Sequence, residues 1–136
     1  MFPWLNKGCV YIAVLSGKSD ILWDYRDMLY KFAEHNHFKI EVVLTKSKEA
    51  LLQSISIFSR KPDIIIVADP FSQYQYRTFI ERLERRRSRA KVFFLGTWEV
   101  PEVYEKKVFS YGKKEKIERY LEKEIDWILR KNLTSL

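Results

Sequence analysis

The run Lys61–Pro70, KPDIIIVADP, constrains this chain more than any other stretch. The residue before a proline is pushed out of the helical region, so Lys61-Pro62 interrupts whatever precedes it. Ile64, Ile65, Ile66 and Val67 then follow without a break, all β-branched. A short continuous apolar run of this kind suits a strand buried on both faces, as in the centre of a parallel sheet. Asp69-Pro70 closes it. In an open α/β sheet, ligands and chemistry sit at the carboxyl ends of central strands, which puts Asp69 where function is expected.

The remaining segments arrange themselves around that strand. Val10 to Leu15 reads as a first buried strand, followed by the turn Ser16-Gly17-Lys18-Ser19. Asp20 is a candidate cap for a helix whose apolar positions are Ile21, Leu22, Tyr25, Met28, Leu29, Phe32 and Ala33. Asn36 and His37 end it. Phe38 to Leu44 alternates, with Phe38, Ile40 and Val42 on one side, as a strand nearer a sheet edge does. Thr45 or Ser47 caps a second helix through Ala50, Leu51, Ile55 and Phe58. After the central strand, Ser72 caps a third helix facing inward through Tyr76, Phe79, Ile80 and Leu83. Lys91 to Leu95 and the weaker Lys107 to Tyr111 are the last two strands, closed by Gly96 and Gly112. Between them Pro101 is placed to start one helical turn. Glu115 to Lys131 is the clearest helix, with Ile117, Tyr120, Leu121, Ile125, Ile128 and Leu129 on one stripe. Strands alternating with helices predict a parallel sheet with right-handed crossovers and helices on both faces.

A length of 136 residues predicts one domain, 1–136, with an adequate core. The 46% apolar and 32% charged content is that of a globular chain. Apolar runs fall short of a membrane span, and MFPWLNKG lacks the parts of a secretory signal, so the expected compartment is the cytoplasm. Cys9 is the only cysteine, which excludes an internal disulfide and a cysteine-based zinc site. Net charge is +7 and uneven: residues 1–68 carry 9 Lys/Arg against 7 Asp/Glu, residues 69–136 carry 16 against 11. A basic second half invites an acidic partner.

In this order and spacing the motifs resemble a response-regulator receiver domain, the flavodoxin-like family of bacterial phosphorelays. LSGKSDILWDYRDML at Leu15–Leu29 matches the register of the family's VDDEPDILELLRELL. Glu49-Ala50-Leu51 falls where the family carries EAL, Lys61-Pro62-Asp63 matches its KPD, and Val92 to Leu95 its fourth strand. The likeness covers most of residues 10–131 and implies a three-layer α/β/α fold on a five-stranded parallel sheet. The family's chemistry implies an acidic pair holding magnesium, an aspartate accepting phosphate, a Ser/Thr sensing it and a lysine pairing with it. Here the acidic pair falls on Ser16 and Gly17, neither of them a carboxylate. The phosphoacceptor position falls on Ala68, with Asp69 one place late. Side chains alternate along a strand, so the slip aims Asp69 at the wrong face unless a bulge corrects it. The switch positions fall near Thr97, also one late, and Lys113. Thr97 to Lys107 offers about half the length a crossover helix needs, so the fourth helix is expected to be shortened or missing.

Plainer readings stand beside these. Asp69-Pro70 serves equally as turn chemistry capping the third helix, and this reading leads. The loop Ser16–Ser19, with Lys18, suits an anion such as a phosphometabolite at a helix start, yet it lacks P-loop spacing and an ordinary turn leads. Arg85, Arg86, Arg87 and Arg89 exceed what a helix end needs to complement its dipole, so they are candidates for gripping an acidic partner. Tyr74, Tyr76, Trp98 and Tyr104 are expected to fill the gap between helix and sheet, and His35 and His37 to be surface residues. The resulting expectation is a degenerate receiver, not an enzyme. It implies no cofactor and no metal, and it acts on a protein partner with an acidic surface. Nucleic-acid binding through the basic half is the alternative; it is weakened because the sequence places no aromatic inside the arginine cluster.

Overall fold

Ile64–Val67 forms β3, and all four of its side chains are buried. In the computed structural model, which describes residues 9–55, 60–96 and 99–134, this strand is the middle one of a five-stranded sheet ordered β2-β1-β3-β4-β5. The others are β1 (Cys9–Leu15), β2 (Lys39–Thr45), β4 (Lys91–Leu95) and β5 (Val108–Tyr111), and every pairing is parallel. The unbroken β-branched run is explained by its two covers. Ile64 and Ile66 enter one apolar cluster, with Leu22, Tyr25 and Leu29 of α1 (Ser19–His35) and Ile117, Leu121 and Ile125 of α4 (Lys114–Thr134). Ile65 and Val67 enter the other, with Leu51 and Leu52 of α2 (Lys48–Ser54) and Tyr76, Phe79 and Ile80 of α3 (Gln73–Arg85). Strand β2 is an edge, as its alternation predicts.

Local chemistry sets where the helices begin and end. Ser72 and Gln75 form a reciprocal capping box on α3, and the Ser47 hydroxyl accepts from Ala50 N–H at the start of α2. Asp20 does not cap α1: that helix starts at Ser19 after Lys18, which gives no side-chain cap, and Asp20 lies inside the first turn, where its charge complements the dipole. Helix α2 stops at Ser54, short of the expected extent, and Phe58 lies outside the described residues. Both α1 and α3 close in Schellman motifs whose left-handed residue is not glycine. His37 (φ 59°) donates to Glu34 O and Phe38 N–H to Ala33 O; Arg87 (φ 56°) donates to Glu84 O and Ser88 N–H to Leu83 O. Phe38 also meets Phe32 edge-on at 5.8 Å, the apolar contact that accompanies this closure.

The fourth crossover contains, among its described residues, only a 3-10 turn at Glu102–Tyr104, started by Pro101. Tyr104 lies against Tyr76 at 6.1 Å and, with Val100, packs on the cluster containing Val92, Phe94 and Val108. A turn and an aromatic ring stand where a helix would otherwise cover β4 and β5. Tyr76 and Tyr104 thus fill the gap as expected, but Tyr74 is exposed, and Trp98 lies outside the described residues.

Candidate functional site

The carboxyl ends of β1 and β3 meet at Asp69. Strand β3 ends at Val67, and Ala68 N–H still pairs with Leu15 O while its methyl joins the α1/α4 cluster. Asp69 is the first residue free of the ladder, so strand alternation no longer dictates its aim. Its carboxylate crosses to the loop after β1: Oδ1 accepts from Ser16 Oγ at 2.8 Å and Oδ2 from Gly17 N–H at 2.7 Å. Lys18 N–H donates to Ser16 Oγ at 3.1 Å. The one-residue slip thus leaves the Asp69 carboxylate facing the loop after β1, and the side-chain cap of α3 is made by Ser72. Asp69 instead ties the loop after β3 to the loop after β1.

Ser16 and Gly17, at the acidic-pair positions, thus face the aspartate as donors. A hydroxyl and an amide satisfy one carboxylate; they do not bind a divalent cation as a cluster of carboxylates does. The residues present do not fit the magnesium site that the resemblance implies. Among the described residues no group of three or more His, Cys, Asp or Glu side chains converges to hold a metal ion. A Cβ at Gly17 would sit 3.6 Å from Asp69 Oδ2, an ordinary contact.

Below this tie lies a pair of buried tyrosines. Tyr111 OH donates to Val67 O at 3.1 Å and lies 3.3 Å from Tyr25 OH. Burial pushes the Tyr111 phenol well above its ordinary value, with the Tyr25 phenol and the Asp69 charge adding to it. Tyr25 is raised mainly by burial, opposed by its bond to Tyr111. Lys114 Nζ lies 5.2 Å from the Tyr25 ring centre. Of the two switch positions, Thr97 lies outside the described residues. Lys113 is exposed just after β5, and no ion pair joins it to Asp69 among the described residues. Lys18 is exposed as well.

The arginines lie at the other end of the sheet. Arg86 folds back, its Nε donating to Leu52 O at 2.9 Å, while Arg85 stays exposed at the helix end. Arg87 and Arg89 instead border a cleft of about 520 Å³ with Lys61, Lys91, Lys131 and Trp127. The cluster thus divides among three environments. The sequence does not reveal the tryptophan beside it, because Trp127 comes from α4, nearly forty residues on, which returns past the amino ends of the strands.

No protein-family model and no curated protein matches this sequence. Solved structures do match in fold. The receiver domain of the hybrid histidine kinase CckA superposes with a TM-score of 0.56 at 14% identity, covering 85% of this chain and 98% of that one. A response regulator receiver domain protein from Bacillus halodurans gives 0.59 at 16% identity, over 88% and 96%. The pseudo-receiver domain of the CikA protein gives 0.57 at 14%, over 88% and 96%. The chain has the flavodoxin-like receiver fold, a conclusion reached from its sheet order and from these likenesses alike. It is thus similar to receivers and to a pseudo-receiver.

Proposed function

We propose that this chain is a non-catalytic, receiver-like regulatory module of the cytoplasm that acts through protein–protein contact and without conventional aspartyl phosphorylation. One observation carries the reading. The aspartate at the carboxyl end of the central strand has both oxygens engaged by Ser16 and Gly17, at the two positions where phosphoryl transfer needs carboxylates and their metal. A nucleophilic oxygen held as a hydrogen-bond acceptor, beside a hydroxyl and an amide in place of the carboxylates that would hold a cation, lacks the support that this chemistry requires. The same tie weighs against a phosphometabolite above Ser16–Ser19, because the Asp69 carboxylate already takes the Gly17 N–H and would repel an anion. A surface suited to contact supports the interaction reading. Helix α1 exposes Trp23 and Tyr30, with the Arg26 guanidinium 5.3 and 4.9 Å from their ring centres. Trp, Tyr and Arg are the residue types enriched at interface hot spots.

The test is incubation with acetyl phosphate and magnesium, or with beryllofluoride, followed by intact-mass and fluorine NMR measurement. No adduct is expected on the chain. A phosphoryl or beryllofluoride adduct mapped to Asp69 overturns the reading.

A further inference from the structure

The cleft at the amino end of the sheet has a composition that the Asp69 site does not explain. Lys61 precedes β3, Arg87 and Arg89 precede β4, Lys91 opens β4, and Trp127 and Lys131 come from the returning end of α4. Trp127 is 52% exposed, which leaves much of a large apolar residue in water. Lys131 Nζ and Lys91 Nζ lie 5.0 and 6.0 Å from its ring centre. Asp63 is the one carboxylate of the lining, and it is turned to other work: Oδ2 accepts from Tyr11 N–H at 2.9 Å and lies 3.6 Å from the Arg60 guanidinium. Arg87 and Arg89 are exposed and have no carboxylate partner among the described residues. Cations concentrated in a depression raise the local potential and draw in anions.

We infer that this cleft binds single-stranded nucleic acid, with the cations of Lys61, Arg87, Arg89 and Lys91 tracking phosphates and Trp127 receiving a base. An anion-binding surface needs only the charges. An exposed indole set among them adds a π-face, which a base can stack on in any sequence. The Lys91 ammonium near the ring also donates to Lys106 O, a neutral acceptor that leaves its charge uncompensated. A duplex keeps its bases stacked inside and offers nothing to the indole. An acidic protein surface also answers the charge, and tryptophan serves protein contacts too, so polyglutamate is set beside the single strands as the competing ligand. This inference is independent of Asp69, which lies at the opposite end of the strands.

Fluorescence anisotropy with labelled oligothymidylate and oligouridylate tests it, at about 50 and 200 mM salt, beside a duplex and a polyglutamate of matching charge. Low-micromolar binding of the single strands is expected, well above that of duplex and polyglutamate. Each phosphate contact contributes about −0.7 to the slope of log K against log salt on a single strand, so Arg87→Ala with Arg89→Ala should flatten the slope by about 1.4. Trp127→Ala should weaken binding by roughly five- to a hundredfold with the slope unchanged, and Trp127→Phe should restore most of it. A ring that merely supports the fold would show no such split. Absence of binding at the lower salt overturns the inference. So does equal affinity for duplex, or polyglutamate binding of similar strength that ignores Trp127→Ala; the latter assigns the cleft to an acidic protein.

Discussion

The two ends of the sheet are built on opposite principles. At the carboxyl end, the polar groups satisfy one another: Asp69 takes Ser16 and Gly17, and Tyr111 takes Val67 O and Tyr25. At the amino end, the charges of Lys61, Arg87 and Arg89 outnumber the one carboxylate beside them, and that carboxylate is turned toward Arg60 and Tyr11. The first arrangement is closed, with its chemistry consumed in holding two loops together. The second is open, with the Arg87 and Arg89 side chains and the Trp127 ring exposed. A receiver fold is expected to work at its carboxyl end. Here the polar groups of that end bond to one another, and exposed arginines without a carboxylate partner among the described residues lie at the other.

The strut between them is α4, 21 residues long and hence about 30 Å. Its stripe of Ile117, Leu121, Ile125 and Ile128 is buried against the core cluster. Truncating Ile125 or Leu121 to alanine should therefore give the largest effect, a loss of about 2–5 kcal/mol in denaturant melts. Both ends should weaken together, in hydrogen exchange at Gly17 and in oligonucleotide binding. A change within error would show that the stripe does not anchor the helix, and loss at one end alone would break the picture of a shared strut.

A middle-sized effect distinguishes the ends by pH. The folded Tyr111 phenol has its pKa raised, chiefly by burial. Its neutral form is favoured in the folded state, so this contribution is fully present below the unfolded value of about 10 and is lost as pH rises above it. Between that value and the raised folded one, stability should fall by about 1.4 kcal/mol per pH unit for this group. Tyr111→Phe should remove that slope from alkaline urea melts, at a cost near neutrality of about 0.5–1.5 kcal/mol for the bond to Val67 O. Tyr11, at the amino end, is also raised by burial and by Glu41, but Arg60 opposes the shift, so Tyr11→Phe should flatten the curve less. Equal flattening by both variants would mean that the carboxyl end is no more closed than the amino end.

Much of this was legible from residues alone. The Ile64–Val67 run announces a central strand because only a strand covered on both faces buries consecutive β-branched residues. Ser72 announces a helix start, and the short span before β5 announces a shortened or missing helix. The aim of Asp69 was not legible, because alternation holds only within a ladder and this residue stands just past its last bond. Nor was the absence of a cap at Asp20: an acid directly after the turn fits an N-cap or a first-turn position equally well. The basic cleft was hidden for a different reason. Its tryptophan and its arginines share no local pattern, and they meet only because α4 runs antiparallel to the strands and ends where β4 begins. A helix of that length following the last strand is the one signal from which the meeting can be reasoned.

The smallest effect bears on why the open end keeps its charge. Arg87 occupies the left-handed position of a Schellman closure at φ 56°, and His37 occupies the same position after α1 at φ 59°. Glycine favours this position, since a Cβ there crowds the following carbonyl at a cost of about 1 kcal/mol. Part of that gain is offset because glycine loses more conformational freedom on folding. Arg87→Gly and His37→Gly should therefore each stabilise the chain by up to about 1 kcal/mol, read as a raised urea midpoint with an unchanged m-value. The two variants should separate in binding. His37 lies outside the cleft, so His37→Gly should leave the oligonucleotide isotherm in place, whereas Arg87→Gly should weaken it and flatten its salt slope by about 0.7. Stability gained together with binding lost would mark Arg87 as a charge held at a conformational cost. If Arg87→Gly destabilises the chain, the side chain supports the fold, and the contrast between a closed end and an open one must be redrawn without it.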